Sequence, residues 1–167
     1  MLDPTPLLTF SFLEWFKKQD TKNFNLVEFG CGNSTIYFNK FFKKVTTYED
    51  DPDYLEHIKK MRLDNVEIFP FNFDTISKPK FKESIEEAHC ILIDNNYKNI
   101  SREVIAKNLI EIYNYKNILI LDNGNWNPEA YFYLKRKYKN AYDFGWRNIK
   151  NDETITTVFA DRIECKI

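Results

Sequence analysis

The chain has 167 residues, with 24 basic and 25 acidic side chains and a formal net charge of −1. That is the length of one domain, able to bury roughly 70% of its unfolded surface in a single core, and its charge balance supplies no field that would draw the whole molecule onto nucleic acid or an anionic membrane. No apolar run approaches the ~18 residues of a membrane span and no basic leader opens the sequence. The three cysteines, without a Cys-x-x-Cys pair, fit neither a disulfide framework nor a zinc site, so a cytoplasmic, reducing compartment is expected.

After Pro4 and Pro6, the residues Leu7, Leu8, Phe10, Phe12, Leu13 and Phe16 recur at helical spacing, and the run ends in Lys17 and Lys18. A helix over about residues 5–18 is expected. Strands and helices then alternate: strand 24–29, helix 33–42, strand 45–49, helix 52–62 with Pro52 in its first turn, strand 65–69 and a helix within 75–87. The second half continues with strand 89–94, helix 101–114, strand 117–122 and helix 128–138, then strands 141–147 and 154–160 with no helix between them. Strands separated by helices imply a parallel sheet covered on both faces. The final pair implies an antiparallel hairpin. Residues 1–167 are therefore expected to form a single three-layer α/β domain with its core over about 24–162, and alternation alone leaves Rossmann and flavodoxin-like strand orders open.

The chemistry is concentrated at residues 26–35, Leu-Val-Glu-Phe-Gly-Cys-Gly-Asn-Ser-Thr. Gly30 and Gly32 can take positive φ and admit a ligand close to the main chain, and Asn33, Ser34 and Thr35 are good capping types at a helix start whose N–H groups face outward. A dinucleotide fingerprint needs a third glycine where this chain has Thr35, so the loop suits a nucleotide-like ligand without a pyrophosphate. Glu49, followed by Asp50 and Asp51, closes the next strand nineteen residues after Gly30, where an acid can grip a ribose diol.

Together these residues resemble motif I and the acidic motif of class I S-adenosylmethionine-dependent methyltransferases. The similarity extends through Ile91-Leu92-Ile93-Asp94, through Ile118-Leu119-Ile120-Leu121-Asp122-Asn123, and through the terminal Thr154 to Phe159 segment, covering about residues 5–162. It is closest to small bacterial members with Glu-Phe-Gly-x-Gly-Asn-Ser-Thr, Leu-Ile-Asp and Leu-Asp-Asn motifs. The resemblance implies a seven-stranded, mostly parallel sheet with an antiparallel last strand. It also implies roles for single residues: Glu28 near the cofactor's ammonium; Gly30, Gly32, Asn33, Ser34 and Thr35 along its methionine and ribose; Glu49 and Asp50 at the ribose; and Phe71, Asn72, Phe73 or Asp74 beside the adenine, with Asp94 closing the site.

On the acceptor side, Asp94 together with Asp122 and Asn123 resembles the magnesium site of catechol-type O-methyltransferases, where a hard cation takes oxygen ligands. Those enzymes place a lysine base three residues after the acid, whereas here that position is Tyr97 and Lys98 follows, so Asp94, Tyr97 and Lys98 are the candidate catalytic groups. Asp94-Asn95-Asn96-Tyr97 also resembles the Asp-Pro-Pro-Tyr signature of nucleobase amino-methyltransferases, but both prolines are absent. Trp126, Trp146 and Arg147 are placed on the acceptor side. His57 and His89 have no partner at motif spacing and are read as surface or packing residues.

The expected function is an S-adenosylmethionine-dependent methyltransferase acting on a small-molecule or sugar hydroxyl, with magnesium assistance as an expectation of the catechol-type resemblance. No nucleic-acid or membrane partner is expected, and homo-oligomerisation is left open. Two alternatives stand beside it: an NAD(P)-binding oxidoreductase domain, and a non-catalytic methyltransferase-fold module or subunit.

Overall fold

A computed structural model of the chain describes residues 5–96, 100–147, 150 and 153–161. In chain order the elements are α1 (Phe10–Phe16), β1 (Asn25–Phe29), α2 (Asn33–Phe38), β2 (Lys44–Glu49), α3 (Pro52–Lys60), β3 (Val66–Pro70), α4 (Phe73–Ile76), α5 (Pro79–Glu87), β4 (Cys90–Ile93), α6 (Arg102–Glu111), β5 (Ile118–Leu121), a 3-10 turn (Gly124–Trp126), α7 (Pro128–Lys137), β6 (Asn140–Arg147) and β7 (Glu153–Ala160). The seven strands form one sheet in the order β3-β2-β1-β4-β5-β7-β6, with β7 antiparallel to both neighbours and the other adjacent pairs parallel. No helix among the described residues is long and apolar enough to cross a membrane.

Helix boundaries follow local chemistry. Asp51 caps α3 by accepting from the Asp53 N–H at 2.9 Å, and Pro52 sits at the first helical position, where its missing N–H leaves no donor unpaired. The single helix expected within 75–87 is instead two, because Lys78 is extended ahead of Pro79 and the chain restarts there. Helix α2 ends at Phe38, short of the expected residue 42, so that Phe42 can turn inward and stack on Phe16.

Period-2 alternation sends each strand's side chains to two cores. Val27, Phe29, Ile91, Ile93, Leu119 and Leu121 pack under α5, α6 and α7, whereas Leu26, Cys90, Leu92 and Ile120 pack against α1 and α2. Glu28 falls on the second face and is fully buried. One carboxylate oxygen accepts from Ser34 Oγ at 2.5 Å, and the other from Thr35 Oγ1 at 2.6 Å and Thr47 Oγ1 at 3.1 Å. One side chain thereby joins β1, the first turn of α2 and β2. Burial raises its pKa to about 7 against the opposing pull of these hydroxyls.

Two outcomes are expected. Gly30 has φ +93° and lies so close to β4 that a Cβ would stand 2.7 Å from the Asp94 carbonyl oxygen. Gly30→Ala should therefore lower unfolding stability by about 1–3 kcal/mol in urea titrations, and a variant as stable as the parent would contradict that close approach. Glu28 binds a proton more tightly folded than unfolded, so its contribution to stability is full below pH 4.5 and is lost as pH rises through about 7. The stability difference between the parent and Glu28→Gln should shift against the parent by on the order of 3 kcal/mol between pH 4 and pH 8; a pH-independent difference would mean that the carboxyl titrates alike in the folded and unfolded chain.

Candidate functional site

Strand register decides which loops meet. Phe29 pairs with Ile93 and Ile93 with Leu121, so the chain segments leaving β1, β4 and β5 emerge side by side at the carboxyl edge of the sheet. This is where open α/β sheets place ligands. A cleft of about 370 Å³ opens there, lined by Cys31 to Ser34, by Tyr54 and His57 of α3, by Asp94, Asn96 and Arg102, and by Asp122, Asn123 and Trp126.

The two glycines have different reasons to be glycine. Gly30 is held against β4, whereas Gly32, with φ +157°, has no atom within 4 Å of the place a Cβ would occupy and borders the cleft. The N–H of Cys31 donates to Glu49 Oε2 at 2.6 Å, and that of Gly32 donates to Thr35 Oγ1 at 3.1 Å. Thr35 passes the link on to Glu28, which explains a threonine at the third-glycine position. Asn33 reaches outward to the Thr5 carbonyl at 3.3 Å, and Ser34 turns inward to Glu28. Glu28 itself is directed into the sheet–helix junction, and the residues lining the cleft do not include it.

Glu49 is nearly buried, with its oxygens fixed by the N–H groups of Cys31 at 2.6 Å and Asp51 at 2.7 Å. Burial raises its pKa, and these two N–H bonds work in the opposite direction. The Cys31 thiol and the Asp50 side chain also hydrogen-bond to Glu49. The same cluster of carboxylates and its burial push the Cys31 thiol up, far from thiolate character. Asp50 follows β2 and is half-buried. Beyond β3, Asn72 caps α4 by accepting from the Thr75 N–H at 3.0 Å, Phe73 is 61% exposed, and Phe71 belongs to the core.

Across the cleft, Arg102 is almost fully buried. It donates to Asp94 Oδ1 at 3.0 Å, to the Asn95 carbonyl at 3.2 Å and to the Asp122 carbonyl, tying the ends of β4 and β5 together. The Asp94 and Asp122 carboxyls hydrogen-bond each other. Asp122 Oδ1 also accepts from Thr156 Oγ1 at 2.7 Å, and Asn123 Oδ1 from Thr154 Oγ1 at 2.5 Å. Burial, and then the charge of Asp94, push Asp122 up to about 8; burial also raises Asp94 against the opposing charge of Arg102.

That arrangement corrects the magnesium expectation. Asp94, Asp122 and Asn123 do converge, but their oxygens face a guanidinium, each other and two threonine hydroxyls. Among the described residues no group of three or more His, Cys, Asp or Glu side chains is placed to hold a metal ion. Tyr97 and Lys98, and the side chains of Trp146 and Arg147, lie outside the described residues.

Three contributors were not foreseen. Arg102 occupies the first position of the stripe 102, 105, 106, 109 that α6 buries, so a charge on an apolar helical face was the available signal. His57 lines the cleft although it was read as surface, and Leu7 brings the segment ahead of α1 to the same rim. Neither carries a motif. His89, at the opposite sheet edge, stacks on Phe24 and accepts from the Asn25 N–H at 3.2 Å.

No protein-family model and no curated protein matches the sequence. The fold, however, is shared with solved structures. It is similar to a precorrin-6y C5,15-methyltransferase from Geobacter metallireducens GS-15, with TM-score 0.63 and 12% identity over 89% of this chain and 87% of that one. An rRNA methylase from Streptococcus thermophilus gives TM-score 0.62 and 11% identity over 89% and 93% of the two chains. A dimethyladenosine transferase from Plasmodium falciparum gives TM-score 0.61 and 15% identity over 93% of this chain, which spans 63% of the length of that protein. The strand order, the antiparallel β7 and these likenesses together give the chain the Rossmann-like fold of the class I S-adenosylmethionine-dependent methyltransferases.

Proposed function

We propose that this chain is an S-adenosylmethionine-dependent methyltransferase that acts in the cytoplasm on the hydroxyl of a small molecule. The observation that carries the reading is the pairing of a fixed acid with an open glycine. Glu49 is locked to the N–H of Cys31, the residue before the open position at Gly32. Glu49 would accept from the ribose hydroxyls, Gly32 and Asn33 would run along the methionine portion, and Asp50, Asn72 and Phe73 would border the adenine. Glu28, Ser34 and Thr35 hold the loop in that shape. Similar folds solved with S-adenosylhomocysteine or S-adenosylmethionine, from Streptococcus mutans and Streptococcus pneumoniae, support the choice of cofactor.

A pyrophosphate ligand fits poorly. Dinucleotide loops bind phosphate through free main-chain N–H groups, and here the N–H groups of Cys31 and Gly32 are both spent on side chains, one of them on a carboxylate. The acids around the cleft suit a cationic sulfonium instead.

When bound, the cofactor supplies an electrophilic methyl group that leaves sulfur, with the C–S bond electrons returning to sulfur. This chain's part is to hold the acceptor oxygen in line, which can contribute ~7–11 kcal/mol through proximity, and to take its proton. Asp94, 21% exposed in its side chain and oriented by Arg102, is the described group that can accept that proton. Tyr97 and Lys98 are the other candidates. A sugar hydroxyl is a narrower choice within the same reading.

Isothermal titration is expected to show one S-adenosylhomocysteine bound per chain and no binding of NAD or NADP; the reverse pattern would overturn the cofactor assignment. Glu49→Gln keeps the shape of the side chain but removes a charged acceptor, and should raise the dissociation constant by the equivalent of ~1.5–3 kcal/mol. Gly32→Ala should weaken binding, because its Cβ enters the cleft without meeting protein atoms, and should also lower stability, because φ +157° strains any side chain. Unchanged affinity in both variants would place the ligand elsewhere.

A further inference from the structure

The turn after β5 is built far more firmly than a connection of three residues requires. Asn123 stands in the left-handed region at φ 50°, and its carbonyl accepts from the Trp126 N–H at 2.9 Å and from Asn127 Nδ2 at 2.7 Å. Thr154 holds the Asn123 side-chain oxygen at 2.5 Å; the Ile155 N–H holds that of Asn125 at 3.1 Å, while Asn125 Nδ2 reaches the Glu153 carbonyl at 3.2 Å. Gly124 is buried where a Cβ would come within 3.3 Å of the Tyr131 ring and 3.4 Å of Thr157 Oγ1. Yet the large side chain this framework presents, Trp126, is 56% exposed, and it lines the same cleft as Asp94 and Gly32. An indole left half in water on a pre-formed turn offers a platform whose backbone is already ordered when a ring docks.

Resting on the cofactor reading above, we propose that the acceptor is a small molecule carrying its nucleophilic hydroxyl on a planar aromatic ring, and that this ring stacks on Trp126 with the hydroxyl turned toward Asp94.

Three observations select a ring over other acceptors. A cleft of about 370 Å³ lies near the lower end of ligand-pocket sizes, so a nucleoside cofactor leaves the acceptor only the mouth, where Leu7 and Trp126 are exposed. A sugar needs several free amides and carboxylates around its platform, but the side-chain oxygens of Asn123 and Asn125 and the amide of Asn127 are committed to the turn itself. A nucleic-acid strand needs a cationic track, whereas Asp94 and Asp122 line the cleft alongside His57, Arg102 and Lys150, with Arg102 bound to Asp94. The chemistry agrees: a ring hydroxyl ionises near pH 10, as tyrosine does, and is within reach of a carboxylate base, unlike an aliphatic alcohol.

The test uses the full chain labelled with 15N-tryptophan, whose three indole N–H signals are resolved by NMR and assigned with Trp126→Phe. In saturating S-adenosylhomocysteine, catechol and 2-naphthol should shift the Trp126 signal selectively, methyl glucoside and a short single-stranded RNA should not, and Trp126→Ala should weaken ring binding at least tenfold while Trp126→Phe retains it. Ring compounds that bind Trp126→Ala as tightly as the parent overturn the proposal. So does a Trp126 signal that moves with the glucoside or the RNA and not with the rings. Failure of S-adenosylhomocysteine to bind at all is a separate result, and it would strike the cofactor reading instead.

Discussion

A single buried carboxyl, that of Glu28, sets the shape on which the site depends. Leaving an acid without solvent between a sheet and a helix is costly unless its oxygens are satisfied, and here three hydroxyls from α2 and β2 converge on it. The consequence runs outward along the loop. Thr35 is fixed by Glu28, Gly32 is fixed by Thr35, and Cys31 is fixed by Glu49 from the neighbouring strand. The loop therefore turns an open glycine to the cleft and keeps its own donors occupied.

The far wall is organised by the opposite charge. Arg102 spans the ends of β4 and β5, and its charge opposes the rise that burial gives both the Asp94 and the Asp122 carboxyl. Removing the guanidinium would leave uncompensated acid in a buried place, which is more destabilising than losing both partners together. The same interaction aims Asp94 and occupies its Oδ1.

Much of this was legible in the sequence. Hydrophobic patterning gave the seven strands to within a residue or two, because the central strands are buried and most of the later helices open on a cap or a proline, and the antiparallel last strand follows the resemblance of the loop at residues 26–35. Glycine spacing and the acid at position 49 pointed to the cleft. What could not be read was register. The neighbourhood of Gly30, Asp94 and Asp122 depends on how β1, β4 and β5 slide against one another, a property of tertiary pairing. Hence the buried arginine that joins Asp94 to the end of β5 was not foreseen, and nothing in the described residues supports the expected cation. Glu28 shows the same limit, since periodicity places it on a face but does not reveal that three hydroxyls meet it there. The break between α4 and α5 is different in kind, for Pro79 announced it and the extended Lys78 is its ordinary consequence.

The most direct test is a crystal structure of the chain grown with S-adenosylhomocysteine. The nucleoside is expected across the loop after β1, with both ribose hydroxyls on Glu49, the sulfur beside Gly32, and an open path from the sulfur to Asp94 and Trp126. A nucleoside bound at the opposite edge of the sheet, in the opening lined by Lys44, Glu67 and His89, or one whose ribose makes no contact with Glu49, would contradict it.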